Sequence, residues 1–259
     1  MKIACQIQYH GGYTSGWQEQ PKDPSIATHL KQAIQLFSGE NPGLACAGRT
    51  DKGVHALGQV VTFNTQVMRS VTRWKTGLNH FLPEFIRINK VSVMKDDFHP
   101  RFNALARTYR YYSVYGFSPH QTKIIANLSK EPNVDLMNQA CKLILGEHDF
   151  SAFRGGSCQA KSPIKTCYNA AWTQRGTIYC FEIKANAFLH HMVRYLVGCM
   201  LEIGHENKDL RWFEAVLNNH LSQDFCASAD GLYLCHAHYP DNFNLDFLDQ
   251  RPWFDSLIA

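Results

Sequence analysis

Residues 2–10, KIACQIQYH, followed after a loop by residues 25–39, SIATHLKQAIQLFSG, decide the fold. The first stretch puts Ile3, Cys5, Ile7 and Tyr9 on one face, the two-residue period of a strand. In the second, Ile26, Leu30, Ala33, Ile34 and Phe37 follow helical spacing, with Ser25 as N-cap and Gly39 as the stop. Further on, strands are expected over 44–48, 59–64 and 85–94, and a helix over 70–81 ended by Pro83. That order, β-α-β-β-α-β, is the split βαβ arrangement of an antiparallel sheet with helices on one side.

The rest of the chain repeats the theme more loosely. Residues 105–115, LARTYRYYSVY, are aromatic and strand-prone. Helices are expected over 135–146 and 188–203, a strand pair over 165–174 and 178–186 turning at Arg175-Gly176, and a last strand over 231–239. Residues 116–134 form an excursion loop. The fold expected is α+β, two ferredoxin-like, RRM-like halves over 1–104 and 105–259 whose antiparallel sheets join across a central groove.

At 259 residues and 45% hydrophobic content the chain can bury a substantial core. The N-terminus alternates apolar and polar residues and lacks the apolar core of a signal peptide, and no run of about 18 apolar residues occurs, so a cytoplasmic protein without a membrane span is expected. Nine cysteines, none in a C-x-x-C pair, indicate neither a disulfide framework nor a zinc ribbon but small buried hydrophobes.

The net charge of +4 is unevenly spread. Residues 69–110 hold nine Lys/Arg against three acids and residues 151–194 six against Glu182, whereas from His205 onward nine acids oppose three bases. Two basic segments point to a polyanionic partner, although such runs also serve as solvated faces.

Three stretches carry candidate chemistry. In CAGRTDKGVHA (46–56), Asp51 lies between Gly48 and Gly53, with Arg49 two residues away as a charge partner and Thr50 and His55 close by. An Asp-Lys-Gly turn is also ordinary turn material, and His55 suits the scaffold equally well. In ARTYRYY (106–112), Tyr109 and Tyr111 share one strand face and Arg110 and Tyr112 the other. They either pack the core or offer a tyrosine to stack on, or exchange a proton with, a nucleobase. In NAFLHHMVRYLVG (186–198), a helix puts His190 and Arg194 one turn apart on one face. A guanidinium among so many apolar residues should meet a carboxylate. Neither His190-His191 nor His236 and His238 has a third metal ligand at a recognised spacing.

Together GRTDKGVHA, ARTYRYY, LILGEHDFSAFR (143–154), KANAFLHHMVR and GLYL with its later Tyr-Pro (231–240) resemble, in order and over nearly the whole chain, the TruA-type tRNA pseudouridine synthases. The resemblance implies that Asp51 is the catalytic aspartate, Tyr109 the active-site tyrosine and Arg194 the partner of Asp51. Arg49, Thr50, His55, Arg107, Arg110 and Arg154 are then the expected RNA-binding residues. It also implies a homodimer that uses neither metal nor organic cofactor and isomerises uridines at positions 38–40 of the tRNA anticodon stem-loop.

The chain departs from that pattern in having His10 for Asp after Tyr9, Thr14 in place of an aromatic, and Glu19 in place of Arg after Gly16-Trp17-Gln18. The last inverts a charge available to phosphate. Two rival readings are an RNA-binding protein without catalysis, which retention of Asp51, Tyr109 and Arg194 opposes, and a metal-dependent phosphohydrolase using Asp51, His55 and the C-terminal histidines.

Overall fold

A computed structural model describes residues 1–20, 23–116, 123–252 and 254–255. The chain divides into two compact units, one of residues 1–105 with 233–252, the other of residues 106–232 with the C-terminal end. The strand expected over 231–239 lies, from residue 233 on, with the first of these units.

The first unit begins with β1 (Lys2–Tyr9), α1 (Ile26–Ser38), β2 (Ala45–Cys46), β3 (His55–Asn64), α2 (Val71–Phe81) and β4 (Ile86–Met94). β1 lies between β3 and β4, antiparallel to both, and β2 pairs with β3. Ser25 caps α1 as expected: its hydroxyl accepts the Thr28 N–H in a capping box, and Gly39 ends the helix in the left-handed conformation at φ 78°. Ile3 sits opposite Phe63, whose ring meets Trp74 of α2, and Trp74 in turn meets Phe37 of α1. This is the helix-covered face.

The second unit runs β5 (Ala106–Tyr115), β6 (Ala126–Leu128), α3 (Val134–Leu143), β7 (Gly146–Asp149), β8 (Ile164–Arg175), β9 (Ile178–Ala185), α4 (Met192–Gly204) and α5 (Leu210–Leu217). β9 lies between β5 and β8, β7 extends the sheet beyond β8, and β6 runs parallel to β5. Gly176, at φ 57°, makes the expected β8–β9 turn. α3, α4 and α5 pack on one another and α3 on β8. β6 falls inside the expected excursion loop, of which residues 117–122 lie outside the described residues. β7 and α5 were not expected.

The final strand, β10 (Leu232–His238), returns to the first unit and runs parallel to β3, Tyr233 opposite His55. Residues after it cover the second sheet face: Ala4, Val60, Met94, Phe98, Ala237 and Phe247 form one cluster, with Tyr239, Phe243 and Leu245 against it. Gln6, a polar position in the alternating pattern, is therefore fully buried, its amide donating to the Leu248 carbonyl at 2.9 Å. Helices on one side alone describe this sheet incompletely, because chain that is irregular apart from the 3-10 turn Asp241–Phe243 covers the other.

The cysteines are free thiols. Burial pushes Cys5, Cys141 and Cys199 up to about 12 and Cys167 to about 11, so these four behave as buried apolar groups. Among the described residues no helix is long and apolar enough to cross a membrane.

β3 and β10 approach closely at Gly58, where a Cβ would lie 2.0 Å from the Cys235 carbonyl oxygen. Gly58→Ala is expected to lower unfolding free energy by about 2–3 kcal/mol through forced separation of these strands. Urea unfolding midpoints at an unchanged slope measure it, and a midpoint equal to that of the parent chain would count against this packing.

Candidate active site

The turn that carries Asp51 is seated on backbone. The Gly11 carbonyl accepts the Gly53 N–H at 3.3 Å, the Trp17 N–H donates to the Thr50 carbonyl at 2.9 Å, and the turn closes with the Val54 N–H donating to the Asp51 carbonyl at 3.1 Å. These approaches need glycine. A Cβ on Gly11 would lie 2.1 Å from the Val54 oxygen, and one on Gly16, at φ 97°, 2.8 Å from the Thr50 oxygen. Gly53 takes the left-handed conformation at φ 86°, which turns the chain into β3.

Side chains brace the same turn from beneath. The Tyr9 and Thr50 hydroxyls share a hydrogen bond of 2.8 Å, and fully buried Gln59 donates to the Gly48 carbonyl at 2.5 Å and accepts the Gly48 N–H at 3.3 Å. His55, 1% exposed, accepts the Gly11 N–H on Nδ1 at 3.2 Å and stacks on Tyr233 with ring centroids 4.5 Å apart. His55 and Thr50 are thus both buried and hydrogen-bonded within the first unit. Asp51 itself is half-buried, and Arg49 and Lys52 beside it are exposed.

The three departures occupy the neighbouring loop. His10 accepts the Gly12 N–H on Nδ1 at 3.1 Å, Thr14 is buried with its hydroxyl toward the Gly16 N–H at 3.4 Å, and Glu19 pairs with Lys31 of α1 at 2.6 Å.

In the second unit, β5 presents Tyr109, whose ring meets Phe188 edge-on at 4.8 Å, and Tyr111 on the same face. Burial raises the Tyr111 phenol above its ordinary range, against the pull of Arg194. Arg110, on the other face, is buried and held by Glu182 across the strands, Nε and Nη2 both 2.7 Å from Oε2. That pair is internal, so the lone acid of the second basic segment is spent on a structural contact. Arg107 is buried with Nη1 donating to the Asn186 carbonyl at 2.9 Å, and exposed Arg154 donates to the Cys158 and Ala160 carbonyls at 2.9 and 2.8 Å.

The helix carrying Arg194 begins later than its apolar pattern suggests. His190 precedes α4 and His191 is its N-cap at φ 62°, so His190 and Arg194 are not one helical turn apart. His190 is instead fixed by Gly155, whose N–H donates to its carbonyl at 2.9 Å, and its Nδ1 lies 3.2 Å from the Ser157 hydroxyl. Arg194 is half-buried, and its Nε donates to the Ala227 carbonyl at 2.7 Å, a backbone partner that sequence reasoning did not anticipate.

A family described as tRNA pseudouridine synthase matches residues 7–103 and 140–240. A relative from Paraburkholderia phytofirmans named "tRNA pseudouridine synthase A" is 42% identical over 249 residues, covering 93% of this chain and 91% of its own. Another of the same name from Shewanella pealeana is 39% identical over 259 residues, covering 98% of this chain and 99% of its own. Among solved structures, a chain of the "Crystal Structure of a Cbf5-Nop10-Gar1 Complex" aligns over 77% of this chain and 54% of its own at 12% identity and a TM-score of 0.34, too slight a likeness to bear on fold or function.

Tyr9→Phe removes the hydroxyl that Thr50 shares and is expected to cost about 1–2 kcal/mol of stability, since the buried Thr50 hydroxyl loses that partner. Thermal unfolding of the variant beside the parent chain measures the loss.

Proposed function

Because the chain belongs to the tRNA pseudouridine synthase family, isomerases that act on tRNA, we propose that it converts uridine to pseudouridine at positions 38–40 of the anticodon stem-loop, with Asp51 as the catalytic carboxylate and no cofactor. The observation that carries this reading is the Asp51 turn itself, a carboxylate on a braced, glycine-seated loop inside the matched region.

The reaction is an isomerisation. The bond from uracil N1 to the ribose C1′ breaks, the base turns, C5 bonds to C1′, the proton on C5 leaves and N1 gains one. Atoms and electrons balance without an oxidant or an energy source. A carboxylate serves either as a nucleophile or as a base while base and sugar are apart. Tyr109, or Asp51 itself, takes the C5 proton. Arg194 supplies the positive charge of the site. A stacked uridine is out of reach, so the target must leave the stem-loop, at a cost of about a few kcal/mol that new stacking and phosphate contacts offset.

For RNA contact, exposed Arg49 and Arg154 suit phosphates. Thr50, His55, Arg107 and Arg110, being buried, serve by holding the elements that carry the reacting groups. The same reading includes two ferredoxin-like halves, a homodimer and a cytoplasmic setting.

Asp51→Asn is expected to leave the melting temperature within about 2 °C and tRNA affinity unchanged while lowering the rate of pseudouridine formation by about two to four orders of magnitude. Mass spectrometry of an anticodon stem-loop transcript reads the product, and turnover at the parent rate would overturn the assignment. The parent chain should keep its rate in excess EDTA, whereas a metal-dependent phosphohydrolase would stop.

A further inference from the structure

We propose that Tyr13, backed by His10 and Phe85, is a stacking platform for an unpaired base of the RNA substrate, one that positions the substrate beside the Asp51 turn. The inference rests on the RNA substrate of the proposed function and adds a positioning residue to it.

The local pattern is inverted. In Tyr13-Thr14 the polar residue is the buried one, while Tyr13 is 62% exposed. An isolated exposed tyrosine is ordinary. This one ends a continuous series of rings. Buried Tyr233 stacks on His55 at 4.5 Å, His55 meets His10 at 4.7 Å, and His10 meets Tyr13 at 4.7 Å. Phe85 meets Tyr13 at 5.4 Å with the ring planes tilted by 34°, and is itself met edge-on by His29 at 5.3 Å. Burial lowers the His29 pKa, which favours its uncharged ring.

The platform is tied to the reactive turn through backbone. Tyr13 ends the 3-10 turn Gly11–Tyr13, and the Gly11 carbonyl accepts the N–H of Gly53, two residues past Asp51. His10 donates its N–H to the Phe85 carbonyl at 2.9 Å, which fixes the second ring to the same loop. A base on Tyr13 would therefore hold a constant position relative to the carboxylate. Exposed cations lie on the segments that meet this loop: Arg49 and Lys52 flank Asp51 in its turn, and Arg87 stands two residues beyond Phe85. One exposed ring on a segment neighboured in the fold by cationic ones matches a strand that offers bases and phosphates together. A rigid ring that already has its neighbours in place loses little conformational freedom when a base lands on it.

The test is equilibrium binding of an anticodon stem-loop transcript to the full chain, read by fluorescence anisotropy and so independent of turnover. Tyr13→Ala and Tyr13→Leu are expected to weaken binding about ten-fold, and Tyr13→Phe to restore it, because a base–aromatic stack is worth about 1–3 kcal/mol. A series of transcripts, each with one loop base replaced by an abasic sugar, supplies the second arm. One position should weaken binding to the parent chain by a similar factor and make no difference to Tyr13→Leu. Equal affinity of Tyr13→Leu and the parent chain would overturn the proposal. So would a weakened Tyr13→Leu whose loss is the same for every abasic transcript, since that would be a general disturbance of the loop. Melting temperatures confirm that the variants fold. Failure of the parent chain to make pseudouridine would sink the proposed reaction alone, because the stack is read from binding.

Discussion

Two glycines allow main chain to touch main chain beside Asp51, and the placement of the 50–54 turn in the first unit depends on that contact. Gly11 and Gly16 meet the 50–54 turn at distances a Cβ would forbid, and hydrogen bonds from Trp17 and Gly53 lock the approach. The turn is thereby positioned by backbone, which moves less than a side chain can. Tyr9, Thr50 and Gln59 add a polar network under it, buried and mutually bonded, and such networks rigidify only when their members are satisfied. In the proposed reaction such support matters, since small misplacements of a reacting group are costly in rate.

Charge is used in two distinct ways. Arg110 and Glu182 cancel one another across β5 and β9, and Arg107 is spent on a backbone carbonyl, so a part of the basic surplus in the middle of the chain is structural. Arg49, Lys52 and Arg154 remain at the surface. Counting charges along the sequence cannot separate these groups, because whether a cation faces inward is set by strand register: Arg110 lies opposite Glu182 on the face away from Tyr109.

Much of the first unit was legible because its signals are local. The Ser25 cap, the Gly39 stop, the alternation of β1 and the glycines at the β3 entry each act within a few residues. β7 and α5 were missed for related reasons. β7, Gly146–Asp149, has no apolar alternation and exists by pairing with β8, and α5 lies in an acidic stretch whose cap, Asp209, is hard to tell from the surrounding acids. At the start of α4 the apolar run crosses the true boundary, and what ends the helix at His191 is a positive φ that its sequence pattern does not signal.

By itself the sequence determined the periodicities, the caps and the grouping of Arg49, Thr50, Asp51 and His55, since these depend on residues near one another in the chain. Only the tertiary structure decided that His55 and Thr50 brace the turn, that Gln6 is buried under residues 239–248, that β10 returns to lie beside β3, and that Tyr13 is the ring left facing out. Each of those outcomes turns on which distant segment arrives to cover a given face. Burial is a property of the assembled chain, whereas alternation and capping are properties of a few consecutive residues.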